Sequence, residues 1–151
     1  NKIPQESVFK DNFFNIVVTN PPYQADGKHT PSPHVQKSLA HGEDASEVTL
    51  EIWCKYLHKK LKNGGYAIMV HRADRLDEII RAMTVRRWFG SLVVQPVHSR
   101  AGDPAKRVLI SARKERYAPI IIKSGLVMHE ADGSYTRQAA AILDGEALIE
   151  L

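Results

Sequence analysis

The stretch Phe13-Phe14-Asn15-Ile16-Val17-Val18-Thr19-Asn20-Pro21-Pro22-Tyr23 decides how the rest of this 151-residue chain is read. Phe13 to Thr19 form a short apolar, β-branched run of the kind that makes a strand buried on both faces. The run halts at two consecutive prolines. Each proline holds its own φ near −65° and pushes the residue before it into extended geometry, so Asn20 and Pro21 leave the strand on a stiffened backbone. The bland reading of Asn-Pro-Pro is a turn that closes a strand.

A chemical reading competes with it. An exocyclic amine on an aromatic base is a poor nucleophile, because its lone pair is delocalised into the ring. A site that modifies it must hold acceptors against both N–H groups and aim the lone pair at the incoming carbon. Asn20 offers an amide oxygen, and Pro21 offers a backbone carbonyl on a restrained backbone. Two fixed acceptors form a preorganised cradle for an NH2 group. Tyr23 adds a flat face on which a base could stack, worth roughly 1–3 kcal/mol. The transfer would be an in-line displacement helped mainly by positioning. A strand of this type running straight into Asn-Pro-Pro-Tyr favours the chemical reading.

Outward from the motif, the polar, proline-containing stretch from Gln24 to about Ala45 is too long for a routine connection and reads as functional. Its His29, His34 and His41 match no metal-ligand spacing and fit a loop that closes over the substrate. An amphipathic helix follows, with Leu50, Trp53, Leu57 and Leu61 on one stripe and Ile52 and Tyr56 beside it. Lys59, Lys60, Lys62 and Gly64-Gly65 suit its carboxyl end. Tyr66 to Val70 is a second strand ending at His71-Arg72. Asp74 could cap a helix with the stripe Leu76, Ile79, Ile80 and Met83. Ser91 to Val97 is a third strand, and Arg107 to Arg113 returns as a fourth. These two could pair antiparallel around a long tip, Arg100 to Lys106. Pro119 to Ile122, Leu126 to His129, a turn at Asp132-Gly133 and a short helix from Arg137 to Leu143 complete the chain.

That order predicts one α/β domain over residues 1–151, with a mainly parallel sheet and an antiparallel hairpin. Ligands of open α/β sheets bind at the carboxyl ends of the strands, where both Asn20 and His71-Arg72 fall. Trp53, Tyr56, Met69 and Met83 read as core, and Trp88 leans the same way. Cys54 neighbours the core stripe and gives no sign of being a nucleophile.

The composition is that of a globular chain, 43% hydrophobic and 25% charged. The single cysteine excludes an internal disulfide, and the seven histidines complete no zinc spacing. No run approaches a membrane span, and the first residues carry no signal-peptide pattern, so a cytoplasmic setting is expected. The net charge of +4 is mild and does not by itself imply a polyanion. The positions of the cations matter more. Arg72, Arg75, Arg100, Lys106 and Arg107 all lie in or just beyond strand-end loops, where they could ring a base with phosphate contacts or simply be solvated. The rim occupied by the hairpin tip stays open from sequence.

The motif Asn20-Pro21-Pro22-Tyr23 at a strand end resembles that of class I amino-methyltransferases. Further stretches recur in the same order in one family: Thr30-Pro31-Ser32-Pro33, Ala40-His41, Leu61 to Gly65, Val70 to Leu76, Pro96 to Gly102, Lys106 to Leu109, and Met128 to Thr136. From Phe13 to Leu143 the chain resembles the tRNA1(Val) adenine-N6 methyltransferases of the "methyltransferase small" group. The resemblance implies a Rossmann-like fold, S-adenosyl-L-methionine as methyl donor and RNA, most simply tRNA beside the anticodon, as substrate. It implies Asn20, Pro21, Pro22 and Tyr23 as the catalytic cradle, with Asn20 and Pro21 also against the cofactor. Release-factor glutamine methyltransferases and guanine-N2 rRNA methyltransferases stay open as alternatives, because a side-chain amide and a guanine amine are likewise planar NH2 groups. DNA adenine methyltransferases are less favoured, since no recognition domain is visible.

Such enzymes begin with a glycine-rich loop after the first strand and an acidic residue ending the second. No Gly-x-Gly-x-Gly occurs here. The expectation is therefore the carboxyl-terminal part of a methyltransferase sheet without its cofactor-binding half, inactive by itself. A methyltransferase-like module that binds RNA or a partner without catalysis is the non-enzyme alternative.

Overall fold

The computed structural model describes residues 9–21 and 49–151. Pro22, Tyr23 and the stretch carrying His29, His34 and His41 lie outside the described residues. The elements are β1 (Phe14–Thr19), α1 (Leu50–Lys60), β2 (Leu61–Arg72), a 3₁₀ turn (Ala73–Arg75), α2 (Leu76–Thr84), β3 (Phe89–Arg100), β4 (Ala105–Lys114), β5 (Ile121–Ile122), β6 (Leu126–His129) and α3 (Arg137–Leu143). They build a sheet in the order β1-β2-β4-β3, with β5 and β6 both on the far edge of β3.

β1 runs parallel to β2, and β5 and β6 run parallel to β3. β4 is antiparallel to both β2 and β3, so it is the one reversed strand among those described. The expected hairpin is therefore present, and its returning strand inserts between β2 and β3. Its tip is shorter than expected. β3 runs on to Arg100 and β4 begins at Ala105, leaving Ala101 to Pro104 as the turn, with Gly102 at φ 82°.

Alternation on the strands defines the core. Ala67, Met69 and His71 of β2, Val108, Ile110 and Ala112 of β4, and Leu92 and Val94 of β3 are buried on one face. Against this face pack Cys54, Leu57 and Leu61 from α1 and its end, and Ile79, Ala82 and Met83 from α2. The buried positions of α1 follow Leu50, Cys54, Leu57 and Leu61, one turn-spaced stripe. Trp53 is half-buried on its flank and Ile52 is exposed, so Cys54 rather than Trp53 occupies the core position. Burial pushes the Cys54 thiol up to about 12. It stays protonated and packs as a small apolar side chain.

Three other expectations are corrected. α1 ends at Lys60, and Leu61 is already extended, so Gly64-Gly65 do not cap it. They form a bulge instead: Phe14 faces Leu61 and Ile16 faces Tyr66, placing extra residues on β2. Gly64 has φ +75°, and a Cβ on Gly65 would lie 3.0 Å from the Asn15 carbonyl oxygen, so both positions need glycine. Asp74 does not cap α2, because it sits inside the 3₁₀ turn and its carboxylate binds Arg72. β1 is not buried on both faces. Val17 and Thr19 turn partly inward, while Ile16 and Val18 are 55% and 67% exposed.

Two buried lysines tie the amino-terminal segment down. Lys60 donates to the Phe9 carbonyl and to Asp11, and Lys114 donates to Asn12 Oδ1 and the Leu61 carbonyl. Each ammonium thus finds oxygen partners in place of water, the condition for burying it. Among the described residues no helix is long and apolar enough to cross a membrane.

Candidate functional site

Because β1, β2 and β3 share a direction, their carboxyl ends meet at one rim. Asn20 leaves β1 there, Arg72 ends β2 and Arg100 ends β3. The reversed strand β4 begins at the same rim, which settles the position left open by the sequence. Arg107 is the register partner of Arg72 on one side and of Val97 on the other. All five candidate cations, with Asn20 and Pro21, therefore belong to one end of the sheet.

The local causes are visible. Thr19 pairs with Met69, so Pro21 follows β1 alongside His71. Pro21 and His71 are both buried, while Asn20 between the strand and the proline is exposed. A buried proline anchors the end of the strand and leaves the asparagine before it at the surface.

The five cations are not equivalent. Arg72 donates from Nε to Asp74 at 2.9 Å and pairs with it through Nη2, and Arg75 pairs with Glu78. The Arg72 guanidinium holds the Asp74 carboxyl below the usual range. Arg100, Lys106 and Arg107 are exposed. No ion pair engages Arg100 or Lys106 among the described residues. Arg72 directly opposite Arg107 is a like-charge pair that costs stability unless an anion lies between them. Asp74 offsets part of that cost from within the chain, and a phosphate would offset more.

His71 lies under this rim with its ring wholly buried. Burial, and after it the charge of Arg75, lowers its pKa from the ordinary 6.5. His58, stacked on Trp88, is lowered first by burial and then by Lys114. Folded His71 therefore stays neutral where the unfolded chain takes up a proton. The unfolded state binds more protons below about pH 6.5, and stability falls as pH drops through that value towards the folded one. Urea midpoints measured at about pH 7.5 and pH 5.5 should show this loss, and His71→Leu should flatten it. An unchanged pH dependence in that variant would assign the loss to other groups.

Among the described residues, those at this end do not complete a pocket for S-adenosyl-L-methionine. The last residues described on these strands and beyond β1 are Asn20, Arg72, Arg100 and His129, and the carboxylate nearest Arg72, Asp74, is already engaged by its guanidinium. The described glycines with positive φ, at 64, 102, 125, 133 and 145, include none directly after β1 or β2. What the arrangement offers chemically is a backbone carbonyl and an amide at the end of β1 and a row of exposed cations beside them. Among the described residues no group of histidine, cysteine and acidic side chains could hold a metal ion.

Among solved structures, the chain is similar to a predicted O-methyltransferase, protein Atu636 from Agrobacterium tumefaciens, with a TM-score of 0.71 and 25% identity. The match covers 93% of this chain and 55% of that one, so the chain spans about half the length of its structural neighbour. No family model matches the sequence, and no curated protein matches it. The mixed α/β sheet is that of a Rossmann-like methyltransferase fold.

Proposed function

We propose that this chain forms the amine-holding part of an S-adenosyl-L-methionine-dependent methyltransferase that modifies N6 of an adenine in RNA, most simply a tRNA. The observation that carries the reading is the meeting of Asn20-Pro21 with Arg72, Arg100, Lys106 and Arg107 at one end of the sheet. A base amine needs two fixed acceptors, and the nucleotide that bears it needs cations for its phosphates. Neither the amide oxygen of Asn20 nor the Pro21 carbonyl takes a proton. They orient the amine's N–H groups and leave its lone pair to face the methyl donor. Asn20 and Pro21 would also touch the donor, and the rest of its pocket falls outside the role given to these residues.

The neighbour's name speaks of oxygen as the methyl acceptor. As the carbon–nitrogen bond forms, the carbon–sulfur bond breaks and the thioether leaves, and the cationic methylated amine then loses one N–H proton to water. A hydroxyl, by contrast, must lose its proton as it is methylated, which calls for a base rather than for two neutral acceptors. The cradle therefore favours nitrogen. Deleting the encoding gene and measuring modified nucleosides in bulk tRNA by mass spectrometry tests the reading. Loss of N6-methyladenosine from one tRNA position is expected. Intact tRNA adenine methylation would sink the proposal. Loss of an O-methylated product, of guanine N2-methylation in rRNA, or of a methylated glutamine in a protein would each reassign the substrate.

A further inference from the structure

We infer that the paired rings of His129 and Tyr135 form a second nucleotide-binding point, a stacking platform for an unpaired RNA base that flanks the one held at Asn20. The inference rests on the RNA reading above and adds a contact that the motif itself does not supply. β6 ends at His129, whose register partner on β3 is Arg100. The chain then turns back so that Tyr135 bridges to His129, and the two rings stack with centroids 5.0 Å apart and planes inclined by 26°. Tyr135 is 54% exposed, so one side of the stack is open.

The hairpin that presents Tyr135 is built to hold still. Glu130 N–H donates to the Ser134 carbonyl, Gly133 N–H to the Glu130 carbonyl, and Thr136 N–H to the Met128 carbonyl. Ser134 donates to Asp132 Oδ1 from both its N–H and its hydroxyl, and Thr136 Oγ1 donates to the Val127 carbonyl. The Ser99 carbonyl faces His129 Nδ1 at 3.3 Å. An exposed aromatic ring on so constrained a turn loses little freedom when something stacks on it.

The position suits a nucleotide strand. Following the sheet from β1 through β2, β4 and β3 to β6 crosses four strand spacings, roughly 19 Å, from Asn20 to the platform. Arg72, Arg107, Lys106 and Arg100 stand along that path. A strand of RNA laid across it would meet a cradle at one edge, cations between, and a π-face at the other edge, the combination that single-stranded nucleic acids bind. The hairpin itself carries Glu130 and Asp132, so it attracts no phosphate and its contribution has to come from stacking. That contrast gives a distinctive readout.

The test uses the full chain and a fluorescein-labelled anticodon stem-loop RNA, with affinity measured at several salt concentrations. Tyr135→Ala should weaken binding about 10-fold or more while leaving the slope of log affinity against log salt unchanged. Tyr135→Phe and Tyr135→Trp, which keep a ring, should restore it. Arg100→Ala and Lys106→Ala should each reduce the salt slope by about one. Binding by Tyr135→Ala equal to that of the wild type overturns the platform and leaves the RNA reading standing. Weak binding by Tyr135→Phe as well overturns it too, since the hydroxyl and not the ring would then matter. A wild-type chain that binds no RNA overturns the RNA reading and the platform with it. Capture of a protein segment at Tyr135 in place of RNA would do the same.

Discussion

Replacing Asn20 by alanine is expected to lower the rate of methyl transfer by the intact enzyme about 10²–10³-fold, the usual cost of removing one preorganised hydrogen-bonding group from a reacting centre. The structure explains why the loss should fall on chemistry. Asn20 is exposed, lies beyond the last paired residue of β1, and precedes a buried proline. Alanine accepts the extended geometry that Pro21 imposes. The midpoint of thermal unfolding should therefore stay near that of the wild type, and RNA affinity, which the proposed reading assigns to the cations and stacking surfaces, should change little. Single-turnover kinetics with saturating RNA separate these quantities. Asn20→Asp keeps an acceptor and should retain more activity than Asn20→Ala. Full activity in Asn20→Ala would remove the amide from the mechanism.

What could be read from the sequence, and what could not, follows from the range of each signal. The strand at Phe13 to Thr19, the stripe of Leu76, Ile79, Ile80 and Met83, and the last helix from Arg137 to Leu143 rest on periodicity within one element, and the structure has them where they were expected. Features that depend on a neighbouring chain were misread or left open. Gly64-Gly65 looked like a helix stop because glycine serves both that purpose and a bulge, and only the backbone of β1 shows which. Trp53 outweighed Cys54 on hydrophobicity, yet the small thiol lies on the turn-spaced line with Leu50 and Leu57. The burial of Lys60, read only as a cation at a helix end, and of Lys114 was not legible, since their oxygen partners lie far away in sequence. The cations of the hairpin could be recognised singly, but their common rim with Asn20 needed the insertion of β4 between β2 and β3. Even then Arg72 and Arg75 proved to be engaged with Asp74 and Glu78, pairs of close residues that the sequence did offer. His129 and Tyr135 stood within the recurring stretch Met128 to Thr136, but that they stack could not be read from it.

The opposite end of β3 supplies the other large expected effect. Phe89→Ala should cost about 3–5 kcal/mol of folding stability, as deletions of a buried phenyl group do when the surroundings cannot collapse. The ring is 1% exposed and meets His58 edge-to-face at 6.0 Å. Relaxation into the space it leaves is restricted on its neighbour's side. A Cβ on Gly90 would already stand 2.3 Å from the Arg116 carbonyl oxygen, so the two backbones there are in close contact. The sequence did not mark Phe89 as part of the strand because alternation fails locally. Ser91 adopts φ 49°, and the register slips between Gly90 and Val93, so Phe89 and Leu92 are both buried despite their odd spacing. A loss of this size should lower the midpoint of thermal unfolding by about 10 °C, and denaturant titration should give the same free energy. Phe89 lies on the order of 30 Å along β3 from Arg100. The transfer rate of the folded fraction should therefore match the wild type. Because the two sites share no partner, the Asn20→Ala, Phe89→Ala double variant should show the folding loss of Phe89→Ala and the activation loss of Asn20→Ala, each within about 0.5 kcal/mol. A larger departure would mean that the hairpin of β3 and β4 transmits packing at its base to the rim where the amine is held.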